Sequence, residues 1–239
     1  MADARVTRSA AAALWRQLPV FPFVNKVFRS VPVALVLALA GCSSAYYGAM
    51  EKFGIAKREI LADRVDDTRQ AQQKAKEQFA DALQRFLAVT KADGGDLQRK
   101  YDELNTQFKR SEDQAKEVRT RIAAVEDVAE ALFREWKQEL GQYSSPTLRS
   151  DSERQLDTTR RRYDALLTLM RRAAERMDPI LATFRDQVLY LKHNLNARAV
   201  SSLGSTHRAL EADISRLISE METSIREADV FIKDLKSGA

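Results

Sequence analysis

The chain has 239 residues, of which 44% are hydrophobic and 31% charged, with 39 Lys and Arg against 34 Asp and Glu and one cysteine. A single cysteine excludes a disulfide framework. Residues 1–41 hold five of the bases and one acid (Asp3), leaving 34 bases against 33 acids after them. The basic pI of about 9.3 therefore belongs to the first segment, and no nucleic-acid partner is expected.

That segment reads as a leader. Lys26 and Arg29 form a basic stretch, Val31 to Ala40 an apolar run, and Leu39-Ala40-Gly41-Cys42 the close. A secretory signal has these parts in this order, with small residues at the cut. The run is too short for the roughly 20 apolar residues that span a bilayer. Leu39, Ala40, Gly41 and Cys42 resemble a bacterial lipobox, which implies cleavage before Cys42 and lipid attachment to it. Residues 1–41 are thus expected to be removed. Arg5 to Phe23, with two prolines and Trp15, fits a leader poorly, so the true start is placed at Val24 or the stretch is an N-terminal extension discarded with the leader. Residues 42–50 form a tether whose Tyr46 and Tyr47 either sit at headgroup level or belong to a plain linker.

Residues 51–239 read as helix throughout. Leu61, Val65, Thr68, Gln72, Ala75, Phe79, Ala82, Phe86 and Val89 alternate steps of four and three, a heptad seam with polar members at Thr68 and Gln72. Gly94-Gly95-Asp96 marks the first turn, with Asp96 as the next N-cap. A second seam runs from Leu97 through Tyr101, Leu104, Phe108, Ser111, Ala115, Val118, Ile122, Val125, Ala129 and Leu132 to Trp136. Gly141 to Pro146 ends this helix, Gly141 by a left-handed C-terminal residue and Pro146 by its missing donor, with Ser145 as cap. The third seam includes Leu156, Tyr163, Leu166, Met170, Met177, Leu181, Phe184, Val188, Leu191, Leu195 and Ala199. Its register slips at Asp178-Pro179, which predicts a kink. After Gly204 the fourth seam is Leu210, Ile214, Leu217, Met221, Ser224, Ala228, Phe231 and Leu235, flanked by Ile218, Ile225 and Ile232.

Four seams joined by short connections predict an all-α fold, an elongated antiparallel bundle of long helices with coiled-coil packing. The start of helix one is expected beside the 141–146 loop, at the membrane end. Helix three, about 55 residues against about 45 for helix two, is expected to project about ten residues past the Gly94-Gly95 turn. This makes a distal hairpin tip around residues 192–208.

The segments GCSSAYYGAMEKFGIAKREILADRV, AVEDVAEALF and FRDQVLYLKHNLNARAVSSL resemble an uncharacterised family of proteobacterial lipoproteins, a domain of unknown function. The resemblance implies an envelope lipoprotein and brings no activity, so no functional residue besides Cys42 carries over.

No residue pattern suggests catalysis. Carboxylates occur as i, i+4 partners of Lys and Arg, neither a phosphate loop nor a nucleophile motif occurs, and a hairpin folded at Gly204 would place His193 opposite Ile214, away from His207. No enzyme activity, cofactor or metal is expected. Two candidate surfaces remain. Residues 148–203 carry eleven bases against seven acids, and residues 96–141 nine against eleven. Arg160, Arg161, Arg162, Arg171 and Arg172 either complement helix two along its flank or form a basic strip for anionic lipid or an acidic envelope polymer. Lys192, His193, Asn194, Asn196 and Arg198 form a polar tip, either plain exposed hairpin residues or a partner-binding site. The expected function is an adaptor or structural rod lipidated at Cys42 that meets an unidentified envelope protein, the alternative a membrane-surface protein using the strip. Ser43 and Ser44 follow the cysteine without an Asp, which by resemblance to enteric lipoproteins implies the periplasmic face of the outer membrane rather than the inner membrane.

Overall fold

The structure is a computed structural model and describes residues 57–91, 96–194, 203 and 206–237. The leader, Leu39, Ala40, Gly41, Cys42 and the tether lie outside the described residues. Four long helices follow in order: α1, Lys57–Lys91; α2, Leu97–Glu139; α3, Pro146–His193; and α4, His207–Ser237. No strand occurs among the described residues. α1 packs on α2 and α4, and α3 packs on the same two neighbours, so the helices close into a ring of four.

Ion pairs between helices show the directions. Lys57 meets Glu135 and Arg85 meets Glu103, Glu126 meets Arg171 and Glu112 meets Arg185, Arg176 meets Glu220 and Arg162 meets Asp234, and Arg69 meets Asp229 while Lys76 meets Glu222. In each interface residue numbers climb on one helix as they fall on the other. The bundle is up-down-up-down, as short connections require.

The seams form its core. Every α1 and α4 seam position named above is buried, as are the α2 positions from Leu104 to Trp136. Phe79, Phe86 and Phe184 are wholly enclosed, and Phe86 meets Phe184 edge to face across the bundle at 5.8 Å between centroids. Enclosing such a side chain contributes about 1.5–3 kcal/mol. The ion pairs are mostly solvated and contribute about 0–1 kcal/mol each, so they select register more than they stabilise.

The caps at Asp96 and Ser145 form as expected: Asp96 accepts from the Arg99 N–H at 3.1 Å and Ser145 from the Leu148 N–H at 3.4 Å, with Pro146 in the first turn. Gly141 acts otherwise. It lies in a 3-10 turn, Leu140–Gln142, without a left-handed backbone, and a Cβ there would meet nothing within 4 Å. The α-helix tightens and stops before Pro146, and Gly141 has no conformational role. Helix α3 runs unbroken through Pro179. Pro179 is exposed, so its missing donor and its ring fall on the solvent side, and Thr183 donates to the Pro179 carbonyl at 3.0 Å.

The predicted projection of helix three is corrected. α3 has 48 residues and ends at His193. From the facing pair Phe86 and Phe184, five residues carry α1 to Lys91 and nine carry α3 to His193. The overhang is about one turn rather than ten residues. The hairpin centre shifts as well. The pairs Arg176 with Glu220 and Arg162 with Asp234 centre it near residue 198, not Gly204. His193 and His207 therefore bracket one connection, and His193 does not lie opposite Ile214. The difference in register comes from treating Gly204 as the midpoint; the seam members Leu195 and Ala199 lie outside the described residues.

Candidate functional site

The start of α1 lies beside the end of α2, as expected. The Lys57 Nζ donates to Glu135 Oε1 at 3.0 Å, and the Arg58 guanidinium stacks over Trp136 at 5.1 Å. The Trp136 indole N–H donates to Ser152 Oγ at 2.8 Å inside the bundle, and the Tyr143 hydroxyl reaches the same oxygen at 3.4 Å. Ser152 thus ties the α2–α3 turn to the core.

Next to this end, α2 and α3 leave a groove of about 610 Å³ open to solvent. Its floor is Phe133, Tyr163 and Leu167, all buried, with Phe133 and Tyr163 edge to face at 5.4 Å. The spacing of the seams explains it. Arg160, Tyr163, Leu167 and Arg171 recur at three and four residues on α3, as Glu126, Glu130, Phe133 and Lys137 do on α2, so each helix lines the groove with an apolar centre and charged ends. Arg171 Nε donates to Glu126 Oε1 at 2.9 Å, and Arg134 donates to Glu130 at 3.3 Å. Arg160 lies over the Phe133 ring at 5.6 Å, a cation–π contact. Among the described residues neither Arg160 nor Lys137 has an ion-pair partner.

The Tyr163 side chain is 7% exposed, and its hydroxyl, which bonds no described residue, is not sealed from solvent but opens onto the groove. Burial first, then the Glu126 carboxylate, pushes its pKa up to about 12, against the opposing pull of Arg171. The phenol therefore stays protonated and available as a donor.

The five arginines do not share one strip. Arg160 and Arg171 line the α2 flank of α3. Arg162 pairs with Asp234 and Arg172 with Glu220, both on α4, while Arg161 donates to Thr158 one turn back at 3.3 Å. A stagger of one or two residues rotates successive arginines by about 100° each around the helix, which parts neighbours in sequence.

At the other end, Lys192 and His193 are exposed at the close of α3. Asn194 is the C-cap: its backbone N–H donates to the Leu191 carbonyl at 3.2 Å and its side-chain amide to the Tyr190 carbonyl at 3.0 Å. It satisfies carbonyls the helix end leaves open, rather than being a solvated residue with no structural part. Asn196 and Arg198 lie outside the described residues. Leu189 and Tyr190 beside this cap are 47% and 45% exposed. Among the described residues no group of three or more His, Cys, Asp or Glu is placed to hold a metal, and no helix is long and apolar enough to cross a membrane.

Sequence reasoning missed Ser152 and the Tyr163 groove. Ser152 precedes Leu156 by four residues and so continues the third seam, a signal that was available. Tyr163 was assigned to the seam correctly, but an incompletely covered core tyrosine looks the same in sequence as a covered one. No curated protein matches the chain. Residues 46–235 match the family described as protein of unknown function (DUF2959), and the chain belongs to that family.

Proposed function

We propose that the protein is a lipid-anchored periplasmic lipoprotein of the outer membrane whose four-helix bundle acts as a structural or adaptor rod. The observation that carries this is Leu39-Ala40-Gly41-Cys42 at the close of an apolar run preceded by Lys26 and Arg29. Cleavage before Cys42 leaves fourteen residues between the lipidated cysteine and Lys57. Lys57 begins α1 at the end of the bundle that holds the α2–α3 turn, which supports reading the connection between α3 and α4 as the end that meets the partner. α3, at 48 residues, carries contacts over about 72 Å at 1.5 Å per residue. The rod presents Leu189, Tyr190, Lys192 and His193 at its distal end to an envelope protein partner.

The ion pairs of Arg162, Arg171 and Arg172 with α2 and α4 favour this reading over a membrane-surface protein that lays α3 on anionic lipid. These cations hold helices together in the bundle. Catalysis has no part in the proposal.

Replacing Cys42 with serine tests it. Stable attachment needs more than one acyl chain, each contributing about 0.8 kcal/mol per buried CH₂. Cys42→Ser is expected to move the protein out of the outer-membrane fraction as a soluble or uncleaved form. Retention of the variant with outer membranes to the wild-type extent would overturn the anchor. Crosslinking in intact cells with a photoreactive residue at Tyr190 is expected to yield a discrete envelope-protein adduct.

A further inference from the structure

The turn between α2 and α3 differs from the rest of the chain in composition. Residues 140–148, from Leu140 to Leu148, hold no charged side chain, in a sequence that is 31% charged. From Gly141 to Leu148 every residue but Ser145 is exposed. Tyr143 and Leu148, at 42% and 58%, are two of the five large hydrophobic residues exposed among the described residues, and Pro146 lies between them. The backbone of this tip is tied in: the Leu140 N–H donates to α2 carbonyls, the Leu148 N–H to Ser145 Oγ and the Arg149 N–H to the Ser145 carbonyl at 3.0 Å, while Pro146 has no N–H to satisfy. The Tyr143 hydroxyl is turned inward to Ser152. A segment that leaves water needs its backbone groups paired in this way.

The charges on either side of the tip cancel. Lys137 and Glu139 close α2, and Arg149, Asp151, Glu153 and Arg154 open α3, three of each sign, with Arg154 paired to Asp151. This end therefore has no net attraction for anionic headgroups, and its distinguishing property is the apolar tip. Its position in the chain points to the partner. α1 begins at the same end, with Lys57 on Glu135 and Arg58 over Trp136. The fourteen residues between Cys42 and Lys57 reach at most about 50 Å when fully extended.

We propose that the α2–α3 turn inserts Tyr143, Pro146 and Leu148 into the interfacial layer of the bilayer, with Lys137 and Arg149 at the level of the headgroups. Tyrosine favours that layer because its ring is amphipathic, and leucine supplies apolar area to bury. The inference rests on the anchor at Cys42 and adds a second contact to it. A bundle held only by its tether turns freely; seated on the tip as well, it directs α3 away from the membrane. The contact differs from a basic strip in depending on apolar insertion rather than on charge.

The probe is a phosphatidylcholine vesicle with a small fraction of maleimide lipid, used with residues 42–239, which keep the whole bundle and omit the apolar run of the leader. Cys42 is the only cysteine, so its thiol couples the chain to the vesicle and the measurement reads the tip contact alone; the anchor fails separately, by an unmodified Cys42 in the cell. Trp136 is the only tryptophan of this segment, so a second one reports as added emission. Brominated acyl chains are expected to quench most of the emission added by Leu148→Trp and none of that added by Tyr190→Trp at the other end of α3. Thr147→Asp in the Leu148→Trp chain should restore the emission with Tm unchanged, because an acid suits the first turn of a helix but not the bilayer. Quenching should be the same with phosphatidylglycerol added and at high salt. No quenching in Leu148→Trp would overturn the proposal, as would equal quenching in Tyr190→Trp, which means a rod lying flat. Quenching that requires phosphatidylglycerol would also overturn it, since that is attachment by charge.

Discussion

Replacing Gln72 with methionine should make the bundle more stable. Gln72 is fully enclosed in the α1 seam, and neither its amide oxygen nor its amide nitrogen has a hydrogen-bond partner among the described residues. It sits between the bridges Arg69–Asp229 and Lys76–Glu222, about level with Ser224, whose buried hydroxyl also has no partner among the described residues. An unsatisfied buried amide costs about 1–3 kcal/mol, while methionine has similar length and flexibility and no polar atom to desolvate. Gln72→Met is therefore expected to gain about 1–3 kcal/mol. At about 2–4 °C per kcal/mol for a domain of this size, Tm should rise by about 2–12 °C in a calorimetric scan. The wild-type residue is then explained as a polar seam position that disfavours other registers and assemblies at some cost in stability. A loss of 1 kcal/mol or more in the variant would refute this reasoning, because it would mean that the amide is satisfied by buried water.

Ser152→Ala leaves the buried Trp136 indole N–H without its acceptor and should cost about 1–3 kcal/mol, read from urea unfolding, with a shift in tryptophan emission. Tyr163 has its pKa raised by folding to about 12 from an ordinary 10.0, so its stabilising contribution is complete below pH 10 and is lost as pH rises towards 12. Phenolate absorbance should show one late-titrating tyrosine that Tyr163→Phe removes, and the alkaline fall in stability should flatten with it. Asn194→Ala should cost about 0.5–1.5 kcal/mol through the lost bond to Tyr190, with faster hydrogen exchange in the last turn of α3. Phe86→Ala should cost about 3–5 kcal/mol, since the ring is wholly enclosed and meets Phe184.

The helical seams were legible because burial in a coiled-coil interface repeats in sequence. Thr68 and Gln72 were placed in the α1 seam despite their polarity, and both are fully buried. Asp96 and Ser145 were legible as caps for a local reason, since each bonds an N–H only three residues on. What failed depended on where helices stop relative to one another. α3 ends at His193 with Asn194 capping it, and only the ion pairs across α3 and α4 show which of their residues lie at one level. The basic strip failed through rotation, because Arg160, Arg161 and Arg162 are adjacent in sequence yet turn towards α2, solvent and α4. The groove was illegible because it arises from incomplete closure between two regular helices over Phe133 and Tyr163.

The lipid anchor is tested most directly by the mass of the N-terminal peptide of the protein recovered from outer membranes. The proposed function predicts a peptide beginning at Cys42, with the cysteine carrying acyl chains and no residue before it. A peptide that extends upstream of Cys42, or one in which the Cys42 thiol is unmodified, would contradict it.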